Sequence, residues 1–415
     1  MQSVCLYFKI HIPCDLKYFT DRYNDAEISP ASTVYQRGID QLADECYLPA
    51  NKIMLELIEA HRGKFKIAFS ISGTSIDMLQ QYRPDVLDSF KTLAATGSVE
   101  FLAETYYHSF SWLHSKKEFQ RQVIMHKEKI NEVFNYAAVV FNNTALIYNN
   151  ELAHFIAQMG YKGILCEGLE ALLNGRTPNQ VYSAPGNDEL AILLRNTRLS
   201  DDIAFRFDDA TWNEQPLTAE KFAGWVHGHG DDSRNINIYF DYETIGIHKK
   251  KATGIFEFLQ HLPDAVLVNK NWIFKLPSEV IAEEYPAGVF DAPQIISWKN
   301  KSHENCIWSE NVMQRKAIYK VYQIENTVLN SNCTEALCYW GYLQNADHFY
   351  SMSEHENSGN LLNSNLHGLN SANEVYRQFN HILNKFELHL IQQGLEALRT
   401  SQQKERACHL YAGIN

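Results

Sequence analysis

Ile238-Tyr-Phe-Asp-Tyr-Glu-Thr-Ile-Gly-Ile-His248 carries a strand-like run straight into two carboxylates and a histidine. Just upstream, Asn235 to Phe240 alternates polar and apolar side chains, the period of a β-strand, and Asp241 stands where the alternation stops. In a barrel of parallel strands the C-terminal strand ends open into one mouth, so a carboxylate at such an end projects to where chemistry is done. Asp241 and Glu243 are the two candidates. A plainer reading stands beside this one. Asp241 caps a following helix, and Glu243 pairs with a lysine of the run Lys249 to Lys251, itself a solvated helix start.

Outward from this stretch the same arrangement recurs. Val4 to Ile10 is apolar and β-prone and delivers His11 and Pro13 to a strand end, where His11 is a ligand-binding histidine or a loop residue. A helix over 50–61 precedes a strand from Phe65 to Ile71 that exits at Ser72-Gly73. Val99 to Leu102 is a further strand, whose end bears Glu104, Thr105, Tyr106, Tyr107 and His108. Ser115 and Glu118 form a capping box opening a helix with the apolar face Phe119, Val123, Ile130 and Phe134. Ala137 to Phe141 and Gly163 to Cys166 flank another helix, and Leu190 to Leu194, Phe205 with its neighbours, and Ala265 to Val268 are further β candidates. Repeated strand-then-helix units predict an α/β chain with a parallel barrel.

From about Ser309 the texture changes to long helical spacing: Val312 to Leu329, Cys333 to Tyr350 and Glu374 to Leu398. In the last, Val375, Phe379, Ile382, Leu383, Phe386 and Leu390 make one apolar stripe, the core side of a helix. The expected organisation is a barrel domain over 1–308 and a helical bundle over 309–415, with a polar Ser/Asn/Gly loop at 351–372 and a fraying tail after Thr400.

Composition bounds the function. With 415 residues, 45% hydrophobic and 21% charged, the chain has ample core-forming material, and a formal charge of −12 argues against a nucleic-acid binder, which needs a basic face. Aromatics at 12% suit stacking on sugar rings as well as core filling. The eight cysteines (5, 14, 46, 166, 306, 333, 338 and 408) contain no C-x-x-C pair and read as reduced thiols rather than a zinc site or disulfide framework. A basic leader and any apolar run of about 18 residues are both missing, so the expectation is a cytoplasmic protein with no membrane contact, no metal and no cofactor.

In motif order these strand-end clusters resemble glycoside hydrolase family 57, in particular its α-amylase and α-amylase-like branch acting on α-1,4-glucans. His11-Ile12-Pro13 stands for the family's His-Gln-Pro, without its glutamine; Gly97-Ser98-Val99-Glu100 matches a Gly-x-x-Glu strand; and Glu104 to Ser109 and Leu199 to Phe207 are similar to this branch. The resemblance implies an incomplete (β/α)7-type barrel followed by a C-terminal helical bundle, Asp241 as acid/base, and substrate contacts from His11, Glu100, Glu104, Tyr107, His108, Glu243, His248, Trp298 and Asn300. In the third motif the family has a glutamate nucleophile, an aromatic three positions on and a second glutamate six positions on. Tyr148 and Glu151 fill the last two places, which leaves Ala145 at the first. The fifth motif departs too. Ile296-Ser297-Trp298 matches, but Asn300 occupies the acidic position and His303-Glu304 replaces Arg-Asp.

A retaining glycosidase needs a nucleophile and an acid/base carboxylate about 5 to 5.5 Å apart. An alanine cannot attack a sugar, so the expected protein keeps a groove for starch, glycogen or maltooligosaccharides and lacks normal hydrolysis. Two other readings are a carbohydrate-binding or regulatory module stacking sugars on Trp112, Trp298, Trp308 and Tyr107, and a metal-dependent deacetylase-like hydrolase using His11, His108, Asp241 and His248.

Overall fold

The structure, a computed structural model, describes residues 1–14, 31–230, 232–298, 307–353 and 371–412. It divides into two compact units, one of residues 1–13 and 34–306, the other containing 307–415.

The first unit is built on β1 (Gln2–Ile10), β2 (Ile67–Ile71), β3 (Val99–Phe101), β4 (Val140–Asn142), β5 (Gly163–Glu167), β6 (Val181–Ala184), β7 (Asn187–Arg195), β8 (Asn235–Asp241) and β9 (Trp272–Phe274). Seven of these lie in the order β3-β2-β1-β8-β7-β5-β4, and each neighbouring pair runs parallel. A parallel bridge between Ala103, just past β3, and Phe141 brings the outer strands together. The Ala103 amide donates to the Val140 carbonyl at 2.9 Å and the Asn142 amide to the Ala103 carbonyl at 2.8 Å. The result is a nearly closed (β/α)7 barrel. Within the sheet order, β7 joins β8 through the single registered pair Arg195 and Asn237.

Strand alternation sorts the side chains. Cys5, Tyr7, Ala68, Leu102, Val140, Leu165, Leu193 and Tyr239 form the interior cluster. The intervening Leu6, Phe8 and Phe240 pack outward on Phe258, Leu259 and Leu262 of the helix Ile255–Leu267. Val280 of the helix Pro277–Glu283 joins the interior cluster, and that helix's Ser278 amide donates to Glu100. Ser115 Oγ accepts from the Glu118 amide at 3.2 Å and starts the helix Lys116–Phe134, whose predicted apolar face is buried.

Three expectations differ. Ala265 to Val268 ends a helix rather than forming a strand, because Phe258, Leu259, Leu262 and Val266 extend one buried helical face through Pro263. Phe205 follows the helix Thr197–Ala204, its amide donating to the Asp201 carbonyl. β6, antiparallel to β7, and β9, parallel to the start of β1, lie outside the predicted strands.

The second unit contains helices Val312–Gln323, Glu325–Asn330, Thr334–Leu343, Ala346–Tyr350 and Ala372–Ala412. The predicted stripe from Val375 to Leu390 is buried throughout, and Tyr339 packs on Phe386 with ring centres 4.8 Å apart. The helix runs on past Thr400 to Ala412 rather than fraying, and residues 354–370 of the expected loop lie outside the described residues. Among the described residues six cysteines are free thiols, with Cys5, Cys14, Cys46 and Cys166 buried. Among the described residues no helix is long and apolar enough to cross a membrane.

Candidate functional site

The C-terminal strand ends form a charged layer above an apolar interior. Lys9 of β1 is buried, and its ammonium lies 2.5 and 2.6 Å from the two carboxylate oxygens of Glu104. Ser70 of β2 donates to Glu104 Oε1 at 2.8 Å, and the Glu104 amide donates to His126 Nδ1 at 3.2 Å. Since His126 Nε2 sits 2.7 Å from the Ile71 carbonyl, the His126 proton is on Nε2. Burial opposes ionisation of Glu104, but Lys9 and the neighbouring His108, whose Nδ1 lies 3.6 Å from a Glu104 oxygen, outweigh it and hold the carboxyl far below its ordinary range. His108 stacks on His11 with ring centres 4.0 Å apart, and His11 Nδ1 is 2.8 Å from Ser72 Oγ. Burial, then the neighbouring His11 and Lys9, pushes the His108 imidazole down to about 3, so it is neutral near pH 7.

β8 ends at Asp241, in register with Lys9 of β1. Both plainer readings of this stretch fail. The Asp241 side chain makes no capping bond to the short turn Tyr242–Thr244, and Glu243 is buried away from the lysines. Lys249 instead pairs with Asp208, so it is a buried anchor rather than a solvated helix start, and Lys250 pairs with Glu45. Glu243 accepts from the Tyr47 hydroxyl at 2.5 Å. Burial, and after it the charge of Asp241, raises the Glu243 carboxyl to about 8, so it is protonated near neutrality. Tyr47 is delivered by a π-helical turn, Ala43–Tyr47, whose Cys46 thiol faces the Tyr242 carbonyl at 3.3 Å. Gly246 (φ +95°) lets that turn approach, because a β-carbon there would overlap the Glu45 carbonyl oxygen. The His248 amide donates to the Glu243 carbonyl at 2.9 Å, and burial lowers the imidazole's proton affinity.

After β4 the chain turns through Thr144–Leu146. Ala145 (φ 54°) and Leu146 (φ 51°) are both left-handed, at a cost of about 1–2 kcal/mol each. The turn is held by its surroundings: Ser297 Oγ donates to the Ala145 carbonyl at 2.6 Å, Thr144 Oγ1 lies 3.0 Å from Thr105 Oγ1, and Tyr148 and Ile296 exchange backbone bonds at 2.9 Å. Asn142 Nδ2 reaches Ser70 Oγ at 2.9 Å and the Tyr239 hydroxyl at 3.3 Å, linking β4 to β2 and β8 across the interior. Glu151, six residues past Ala145, is exposed and sits 3.4 Å from Lys116.

Trp298 connects this turn to β8. Its ring lies 5.6 Å from the Arg195 guanidinium carbon. Arg195 is buried and donates to the Tyr239 carbonyl (3.0 Å), to Glu167 (3.3 and 3.4 Å) and to Asp201 (2.6 Å). Ser297 on Ala145 and Trp298 beside Arg195 thus bridge the ends of β4 and β7, with β8 reached through Tyr239.

Of the predicted residues, the structure gathers His11, Glu104, His108, Ala145, Asp241, Glu243, His248 and Trp298 at the strand ends. Glu100 is apart from them. It is fully buried, level with Ala68 of β2, and takes the Ser278 amide at 2.9 Å, so it is closed off from any ligand at the mouth. Tyr107 is likewise buried, with Arg121 5.9 Å from its ring centre, and Asn300 lies outside the described residues. As sugar platforms Trp112, Trp308 and Tyr107 fail, since each is at most 2% exposed. Among the described residues no group of three or more His, Cys, Asp or Glu side chains is placed to hold a metal ion. Lys9, Glu167 and Arg195 were missed. The only signal in the sequence was a charge closing an otherwise apolar strand.

A family model for glycosyl hydrolase family 57 matches residues 5–293. The chain belongs to that family. A Methanocaldococcus jannaschii protein bearing an α-amylase name is 36% identical over 394 residues, covering 92% of this family 57 chain and 80% of the relative. Among solved structures, the α-amylase AmyC of Thermotoga maritima superposes with a TM-score of 0.65 at 12% identity, covering 95% of this chain and 94% of that one. The 4-α-glucanotransferase of Thermococcus litoralis gives 0.64 at 16% identity over 84% of this chain, which spans 56% of that enzyme's length. These last two likenesses are of fold.

Proposed function

We propose that this family 57 protein takes α-1,4-glucans such as starch, glycogen or maltooligosaccharides into the barrel mouth and has lost most or all of its power to hydrolyse them. The observation that carries the reading is Ala145, which by motif order occupies the nucleophile's place. The substrate class is carried over from relatives named as α-amylase and 4-α-glucanotransferase. Asp241 retains the acid/base role, and its side chain makes no capping bond to the turn that follows. Nearby carboxylates are poor substitutes. Glu104 is tied to Lys9, Glu167 to Arg195, and Glu151 faces solvent.

Without a nucleophile the covalent intermediate cannot form, and rate losses on the order of 10⁴ to 10⁶ follow where such residues are removed from other hydrolases. The test measures reducing ends released from amylose and maltoheptaose, with calorimetry on the same sugars. Binding with negligible release supports the reading, and Ala145→Glu is expected to restore measurable release. Turnover at ordinary enzyme rates by the unaltered protein would overturn the loss of hydrolysis.

A further inference from the structure

We infer that Phe205 and Trp298 form a sugar-stacking subsite on the rim of the mouth, held in place by Arg195. The inference rests on the glucan reading above and adds a residue, Phe205, which the motif comparison left without a role.

Single exposed aromatics are ordinary on protein surfaces and mean little by themselves. Phe205 differs in how it is held. The residue is 55% exposed while its ring stacks on Trp298, with 22° between planes and 6.2 Å between centres. Its amide donates to the Asp201 carbonyl at 2.9 Å, and its own carbonyl accepts from the buried Lys249 ammonium at 3.1 Å. The Asp201 carboxylate in turn accepts from Arg195, which lies beside Trp298 and donates to the Tyr239 carbonyl two residues before Asp241. One guanidinium therefore fixes both the aromatic pair and the strand carrying the acid.

A pyranose ring presents axial C–H groups on a face, and a flat, immobile aromatic covers that face without losing side-chain entropy on binding. Backed on one side by Trp298, the exposed Phe205 ring offers its outer face to a glucose unit of the chain. The neutral, polar class of ligand also agrees with the chain's net charge of −12, which disfavours an anionic occupant.

The experiment compares maltoheptaose binding by the full chain and by Phe205→Ala, Phe205→Leu and Phe205→Trp, using calorimetry and tryptophan fluorescence. Phe205 is more than half exposed, so unchanged melting is expected in all three. Phe205→Ala is expected to raise Kd about tenfold, as truncation of an aromatic anchor does. Phe205→Leu should lose about as much because it is apolar but not flat, and Phe205→Trp should bind like the parent. If the parent binds maltoheptaose and Phe205→Ala binds equally well, the subsite is overturned and the glucan reading stands. If leucine matches tryptophan, stacking is overturned. If the parent itself fails to bind, both readings fall together.

Discussion

Glu100 and Glu104 are four residues apart on one run of chain, both shut away from solvent, and they titrate in opposite directions. Glu104, at the mouth, faces Lys9, Ser70 and the His126-held backbone, and its charge is more than compensated. Glu100, further down β3, has one backbone donor, Ser278, and its other oxygen has no hydrogen-bond partner among the described residues. Burial therefore raises Glu100 to about 7, while Lys9 turns Glu104 the other way. The lesson is that enclosure sets only the penalty on a charge. The partner decides whether the charge survives, and here the partners Lys9, Ser70 and His126 stand at the C-terminal strand ends.

The largest test of this contrast is Lys9→Met. Leaving Glu104 buried and unpaired is expected to cost about 3 to 5 kcal/mol in denaturant unfolding, and Lys9→Met combined with Glu104→Leu is expected to recover much of it. A single variant as stable as the parent would mean that Glu104 is not held as an ion.

Next comes Glu100→Gln. Between pH 4.5 and about 7 the folded state keeps the Glu100 proton and the unfolded chain releases it, so raising the pH favours unfolding. The contribution is fully present below pH 4.5 and is lost as pH rises through about 7, a swing on the order of 3 kcal/mol. Glu243 has the same sign, so the difference between parent and Glu100→Gln isolates the deeper group. Identical stability-versus-pH curves would erase the contrast.

The smallest effect sharpens it. Ser297→Ala removes a neutral hydrogen bond to the Ala145 carbonyl and is expected to cost about 1 kcal/mol, read as a shifted denaturation midpoint. A loss as large as that of Lys9→Met would put the neutral links at the mouth on a par with its ion pair.

Much of the barrel was legible because a buried parallel strand is a compact apolar run, and Val4 to Ile10 is long enough to show it while Gly163 to Cys166 is set off by the glycine that stops the preceding helix. Ala265 to Val268 misled because three or four apolar residues satisfy either period, and only the longer spacing from Phe258 to Val266 identifies the helix. β6 is four residues long and antiparallel, so no crossover helix announces it. At the site, motif order singled out Asp241 and Ala145, which the structure puts at the end of β8 and in the turn after β4. Lys9 and Arg195 were not, because a lone cation at a strand end looks like an exit to solvent until its partner is known. Glu104 lies 95 residues from Lys9, and Glu167 is 28 from Arg195. Glu243 is a related case, in which the sequence offered neighbouring lysines and the fold supplied Tyr47 from far upstream.

The backbone contact at Gly246 has a bearing on descent. Because the Glu45 carbonyl fills the space that any side chain would occupy, mutation at this codon has nowhere harmless to go. Position 246 is thus guarded against drift by shape alone, so a glycine kept there among descendants of this gene would say nothing about what Asp241 does.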